Sequence, residues 1–192
     1  MKPEIDFEEL QEWLSYMHVA ELKDELKALN LSTKAFNKKE LIERLVHYAK
    51  TGKELPHKQI PEISKAKSKT TKLEPQSLIL YGTYKNDLAT RQFFKKIIGD
   101  HFHFTASGID WLREKWLLGN PPTYAEFAKE WQTEYERNKI HKKAPKQEWA
   151  FIRFSQKFIK ENPNTSKQEL IEQWDKERLI LIDKARKILR KK

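Results

Sequence analysis

Residues 18–48, HVAELKDELKALNLSTKAFNKKELIERLVHY, constrain the fold of this chain more than any other stretch. Val19, Leu22, Leu26 and Leu29 recur at three- and four-residue spacing, which predicts one apolar helix face. Leu41, Ile42, Leu45 and Val46 predict a second. The polar connection between them runs from Asn30 to Lys39. Asn37 with Glu40 three residues on reads as a helix start, a cap oxygen answered by a carboxylate. Lys34, Lys38 and Lys39 flank the positive end of that helix. Backbone N–H groups at a helix start with lysines nearby form a seat for a phosphate.

This pattern resembles the SAP domain, a helix–extended–helix module that in many proteins binds double-stranded DNA. VAELKDELKALNL followed by KKELIERL carries the resemblance. The usual SAP sequence has glycine where this chain has Asn30 and, after a slightly longer connection, Asn37. Asparagine is the best non-glycine residue for the left-handed conformation, so the fold tolerates the change. The resemblance implies phosphate contacts from Lys34, Lys38 and Lys39, helped by the Asn37-capped helix start. Lys23, Lys27 and Arg44 join them if they fall on the same side. The plainer alternative is a helical hairpin with solvated lysines.

The net charge of +10 is uneven. Residues 1–50 carry 8 Lys/Arg against 10 Asp/Glu, residues 51–75 carry 6 against 3, and residues 76–192 carry 24 against 15. The SAP-like segment is therefore not the basic part, and long-range attraction to nucleic acid falls to the rest of the chain. A lysine-rich surface also serves solubility. Without cysteine there is no disulfide, thiol catalysis or cysteine-held zinc. No apolar run reaches the length of a membrane span, and MKPEIDFEEL is no signal peptide. A cytoplasmic protein is expected, associated with the nucleoid if it binds DNA.

Asp6 with Glu9 opens a further helix through Leu10, Trp13 and Leu14. From Thr51 to Gln76, lysines and three prolines without apolar periodicity read as a mobile linker. Ser77–Asp87 reads as an extended segment or minor hairpin, and a helix is predicted from about Leu88 to Ile98, stopped by Gly99. Residues 109–131 and 151–174 then form a weak internal repeat, each an aromatic-rich helix, an Asn-Pro break and a capped second helix. Thr123 with Glu126 and Ser166 with Glu169 are the caps, and Trp131 and Trp174 both lie eight residues beyond them. Two hairpins packed on each other are the simplest outcome. TRQFFKKIIGDHFHFT, NPPTYAEFAKEW and FIRFSQKFIKENPNTSKQELIEQW also resemble an uncharacterised bacterial family in which such segments follow a SAP-like N-terminus. The expectation is an all-α protein: a SAP-like module at 1–50, a linker at 51–76 and a helical domain of two hairpin repeats at 77–192.

Signals for catalysis are weak. His101 and His103 beside Asp100 form the one clustered histidine pair, a partial metal set with no evident further ligand. Five glycines leave little material for a phosphate loop, and no nucleophile elbow occurs. Trp111, Trp116, Trp131, Trp149 and Trp174 offer surfaces for base stacking, but their helical spacing predicts core. Arg153, Lys157 and Lys160 lie along one helix side, extended upstream by Lys142, Lys143 and Lys146, and read as a solvated face or a second basic surface. The leading expectation is a non-enzymatic binder of double-stranded DNA with little sequence preference, needing no metal or cofactor. The alternative is a protein-interaction adaptor using its helical-hairpin surfaces.

Overall fold

The computed structural model describes residues 6–68, 72–141 and 144–190. Among the described residues the regular structure is helical, with eight α-helices and one short 3-10 turn at Glu62–Ser64. The chain divides into two compact units, one of Met1–His57 with Ala144–Lys192, the other of Lys58–Lys143.

The first unit holds α1 (Phe7–Ser15), α2 (Val19–Ala28), α3 (Lys38–Thr51), α7 (Ala150–Glu161) and α8 (Lys167–Leu189). The stripes predicted on α2 and α3 are buried except at the ends of the α2 stripe: Leu22, Leu26, Leu41, Leu45 and Val46 meet Leu10, Leu14 and Met17 of the α1 segment. Leu29 is half-buried, and Val19, in the first turn of α2, is exposed. Phe154, Trp174, Ile182, Ala185 and Leu189 from α7 and α8 complete the same core. α8 packs on α1 and α3, and α7 packs on α8.

The expected division is redrawn. The second hairpin of the repeat belongs to the unit of the SAP-like segment, whereas the first hairpin belongs to the other unit. Charge explains part of this choice. Residues 1–57 carry 9 Lys/Arg against 11 Asp/Glu, and residues 144–192 carry 13 against 7. The acids of the one meet the arginines of the other: Glu12 with Arg153 at 2.9 Å, Glu21 with Arg178, and Glu25 with Arg186 at 2.7 Å. Glu25 is only 5% exposed, so its ion pair is a packing contact rather than a surface one. Burial pushes the Glu21 carboxyl up, but the His18 N–H and the Arg178 guanidinium outweigh it and hold the pKa below its usual value.

The second unit holds α4 (Leu88–Ile98), α5 (Ala106–Leu117) and α6 (Tyr124–Ile140). α4 and α5 each pack on α6. Its core is aromatic: Phe94, Phe102, Tyr124, Phe127 and Trp131 are buried, and Phe94 touches the rings of Phe102, Tyr124 and Phe127. Gly99 ends α4 at φ 122°. Ser77–Asp87 turns at Gly82–Thr83, and its bridge partners are loops: Tyr81 bridges Lys65 in parallel and Leu78 bridges Thr123 in antiparallel sense. The indole N–H of Trp116 donates to Ile79 O at 2.7 Å and secures this strap.

The 51–76 stretch is only partly the spacer its composition suggests. Glu54 and His57 bind groups of the first unit, Ile60 and Ser64 are buried, and Tyr81 N–H donates to Ser64 O. Backbone hydrogen bonds and isolated apolar residues leave no periodic trace in sequence. Residues 69–71 of that stretch, and Lys142 and Lys143 of the candidate basic surface, lie outside the described residues.

Candidate nucleic-acid interface

The expected phosphate seat lies where α2 turns into α3. α2 closes with Asn30 in the left-handed region at φ 58°. Asn30 N–H donates to Lys27 O and Leu31 N–H to Leu26 O, the paired bonds of a Schellman end. This is the conformation expected where SAP sequences place glycine. Asn37 differs: at φ −155° it is extended backbone that any residue adopts, and its value lies in its side chain, which accepts from Glu40 N–H at 2.9 Å. The Glu40 carboxylate reaches back to Phe36 N–H at 2.7 Å and is bridged at 2.8 Å by His57 Nδ1.

Arg44 is a correction. It is 1% exposed, and it holds the connecting loop from inside rather than facing a ligand. One terminal nitrogen donates to Lys34 O at 2.5 Å, the other to Glu54 Oε1 at 2.6 Å, and Glu54 Oε1 also accepts Ser32 N–H at 2.9 Å. Arg44 and Glu54 thus clamp both sides of the loop that presents Lys34.

Lys38 is a second correction. Its ammonium turns inward and donates to Ser15 O at 2.5 Å. Burial pulls its pKa down to about 8, with Glu148 opposing and Arg178 reinforcing the shift. Arg178 donates to Tyr16 O and Arg153 to Ser15 Oγ, so cations from α3, α7 and α8 gather on the negative end of α1. Lys38 is spent on holding the unit together.

Lys34 and Lys39 remain exposed at the loop and the first turn of α3. Lys39 is 61% exposed, with Glu43 3.7 Å away, a pairing too loose and wet to withhold it from a phosphate. On α2, Lys23 is half-buried, and Lys27 is exposed beside Asp24 at 3.1 Å. The structure therefore brings Lys34, Asn37 and Lys39 together at one helix start and assigns Lys38 and Arg44 to the scaffold.

The other candidates resolve similarly. His101 faces Gln132, and His103 bonds to His101 O; both rings lie against Trp131. Among the described residues no three His, Cys, Asp or Glu side chains gather as a metal set. Trp116, Trp131 and Trp174 are core, as the spacing predicts, and Trp111 is half-buried. Trp149 is not core: it is 38% exposed, just ahead of α7, with the Lys146 ammonium over its ring. No helix among the described residues is long and apolar enough to cross a membrane.

Residues 13–50 match the SAP domain, and residues 68–134 match a domain of unknown function, DUF6434. No curated protein and no solved structure matches the chain. The SAP match suggests DNA binding in general. Each match falls inside one unit, and α7 and α8, which complete the first unit, lie beyond both.

Proposed function

We propose that the protein binds double-stranded DNA without catalysis and with little sequence preference, through the connecting loop and first turn of α3. The observation that supports this most is the preorganised loop: Arg44 and Glu54 fix its backbone from within, while Lys34 in the loop and Lys39 in the first turn of α3 stay exposed on the outside. Preorganised cations at a helix start contact phosphates with little ordering cost. Such contacts position a protein on the duplex and carry no base code. Lys23 and Lys27 are secondary contributors, and the +10 net charge draws the chain toward the polyanion.

Fluorescence anisotropy of labelled duplex across a salt series tests this, comparing the full chain with Lys34→Gln/Lys39→Gln. Loss of two phosphate contacts lowers the slope of log affinity against log salt by about 1.8 in magnitude. An unchanged slope and affinity would refute the site. A second reading, a protein-interaction adaptor, draws on the exposed Phe151, Ile152 and Ile159 of α7 and Leu179 and Ile180 of α8. It takes precedence if the full chain fails to bind duplex at low salt.

A further inference from the structure

The basic residues of α7 were ambiguous in sequence, a solvated face or a second surface. Arg153, Lys157 and Lys160 follow each other at spacings of four and three, which puts them on one side of the helix. There they line a shallow groove of about 560 Å³ with Gln156 and Glu161, so three cations and an amide face one carboxylate. The five lining residues are polar or charged, with their aliphatic stems exposed between the head groups.

Two observations separate this groove from an ordinary lysine-rich helix. Lys157 and Lys160 are exposed, and among the described residues neither has a carboxylate or hydrogen-bond partner. Arg153, by contrast, is fixed. Its terminal nitrogens hold Glu12 at 2.9 Å, Ser15 Oγ at 3.1 Å and Gln147 O at 2.7 Å, while its Nε–H is buried without an acceptor. With Arg153 paired to Glu12, the two unpaired ammonium groups outweigh the Glu161 carboxylate and leave a local excess of positive charge along the groove.

We infer that this α7 groove is a second phosphate-contacting surface, taking the sugar-phosphate backbone of duplex DNA. The inference rests on the DNA-binding reading above and extends it from one site to two within the same compact unit. Two unpaired ammonium groups one helix turn apart suit the evenly spaced phosphates of a strand, which are held mainly by charge. The length also fits. Lys157 and Lys160 lie about 4.5 Å apart along the helix axis, close to the axial rise per phosphate of one strand.

The test is duplex titration across 50–200 mM salt with the full chain and Lys157→Gln/Lys160→Gln, folding checked by circular dichroism. The expected result is a native melting curve, a salt slope lower by about 1.8, and affinity at low salt lower by more than tenfold. If the wild type binds and this variant keeps its slope and affinity, the α7 site is overturned while the α3 site stands. If the wild type does not bind duplex at low salt, both readings fall. An equal loss of affinity for polyglutamate would reassign the groove to acidic polypeptides and overturn the phosphate assignment.

Discussion

Trp174→Ala separates the observed architecture from the one in which the two hairpins pack together. The Trp174 indole stacks on the Tyr16 ring at 4.9 Å and 19°, and meets Phe151 and Phe154 at 5.2 and 5.4 Å. Truncating a buried tryptophan costs about 4 kcal/mol through lost transfer energy and the cavity left behind. That is a large part of the stability of about 5–15 kcal/mol typical of a domain. With a urea m-value of about 2 kcal/mol/M, the unfolding midpoint falls by about 2 M. Urea titration gives the magnitude, and hydrogen exchange resolved by peptide gives the place. Amides of α1 and α2 should lose protection, although they are about 150 residues away in sequence. Trp131→Ala, at the matching repeat position, should leave those amides unchanged and expose α4 and α6. If Trp174→Ala spares α1 and α2 while weakening α4–α6, the assignment of the second hairpin to the SAP unit is wrong.

Lys38 makes stability depend on pH. Its ammonium has a pKa of about 8 when folded against an ordinary 10.5, so between these values the unfolded chain binds the extra proton and stability rises with pH. Burial and Glu177 hold the Tyr16 phenol protonated in the fold, which acts oppositely once unfolded tyrosine ionises above pH 10. Chemical denaturation at pH 8 and about 9.5 should therefore show a gain for the wild type that Lys38→Met lacks; equal pH profiles would contradict the burial of this ammonium. Arg44→Ala strands Lys34 O and Glu54, and should cost about 3 kcal/mol in a thermal melt, with Arg44→Lys recovering little because an ammonium lacks the fork. Asn30→Ala should cost about 1 kcal/mol at φ 58°, whereas Asn30→Gly should stay within a few tenths; equal effects would contradict the left-handed turn.

The helices were largely legible because their signals are local. α4 begins after the Asp87 cap and ends at Gly99, and the Thr123 and Ser166 capping boxes both form. The resemblance to the SAP pattern, which has glycine at both places, implied left-handed turns at Asn30 and Asn37; it holds at Asn30 and fails at Asn37, since a cap and a left-handed turn favour the same side chain. Partner choice was hidden. An amphipathic stripe says that a helix face is buried and is silent about what covers it, and two similar hairpins invite pairing with each other. The arginine pairs that placed α7 and α8 instead span more than 130 residues. Their one trace was the acidic excess of residues 1–50 against a basic C-terminal region, legible as complementarity as well as a weak point of the DNA-binding account. Lys38 and Arg44 carried a clearer warning. Lys38 lies three residues before Leu41 and seven before Leu45, and Arg44 three after Leu41, so both border the buried stripe of α3.

The most direct test of DNA binding through the α3 start is a duplex titration of the isotope-labelled full chain at low salt, read by amide chemical shifts. The account predicts perturbation concentrated at residues 31–40, with a second group along residues 153–160, both fading as salt rises. Shifts confined to residues 88–140, or none at low salt, would contradict it.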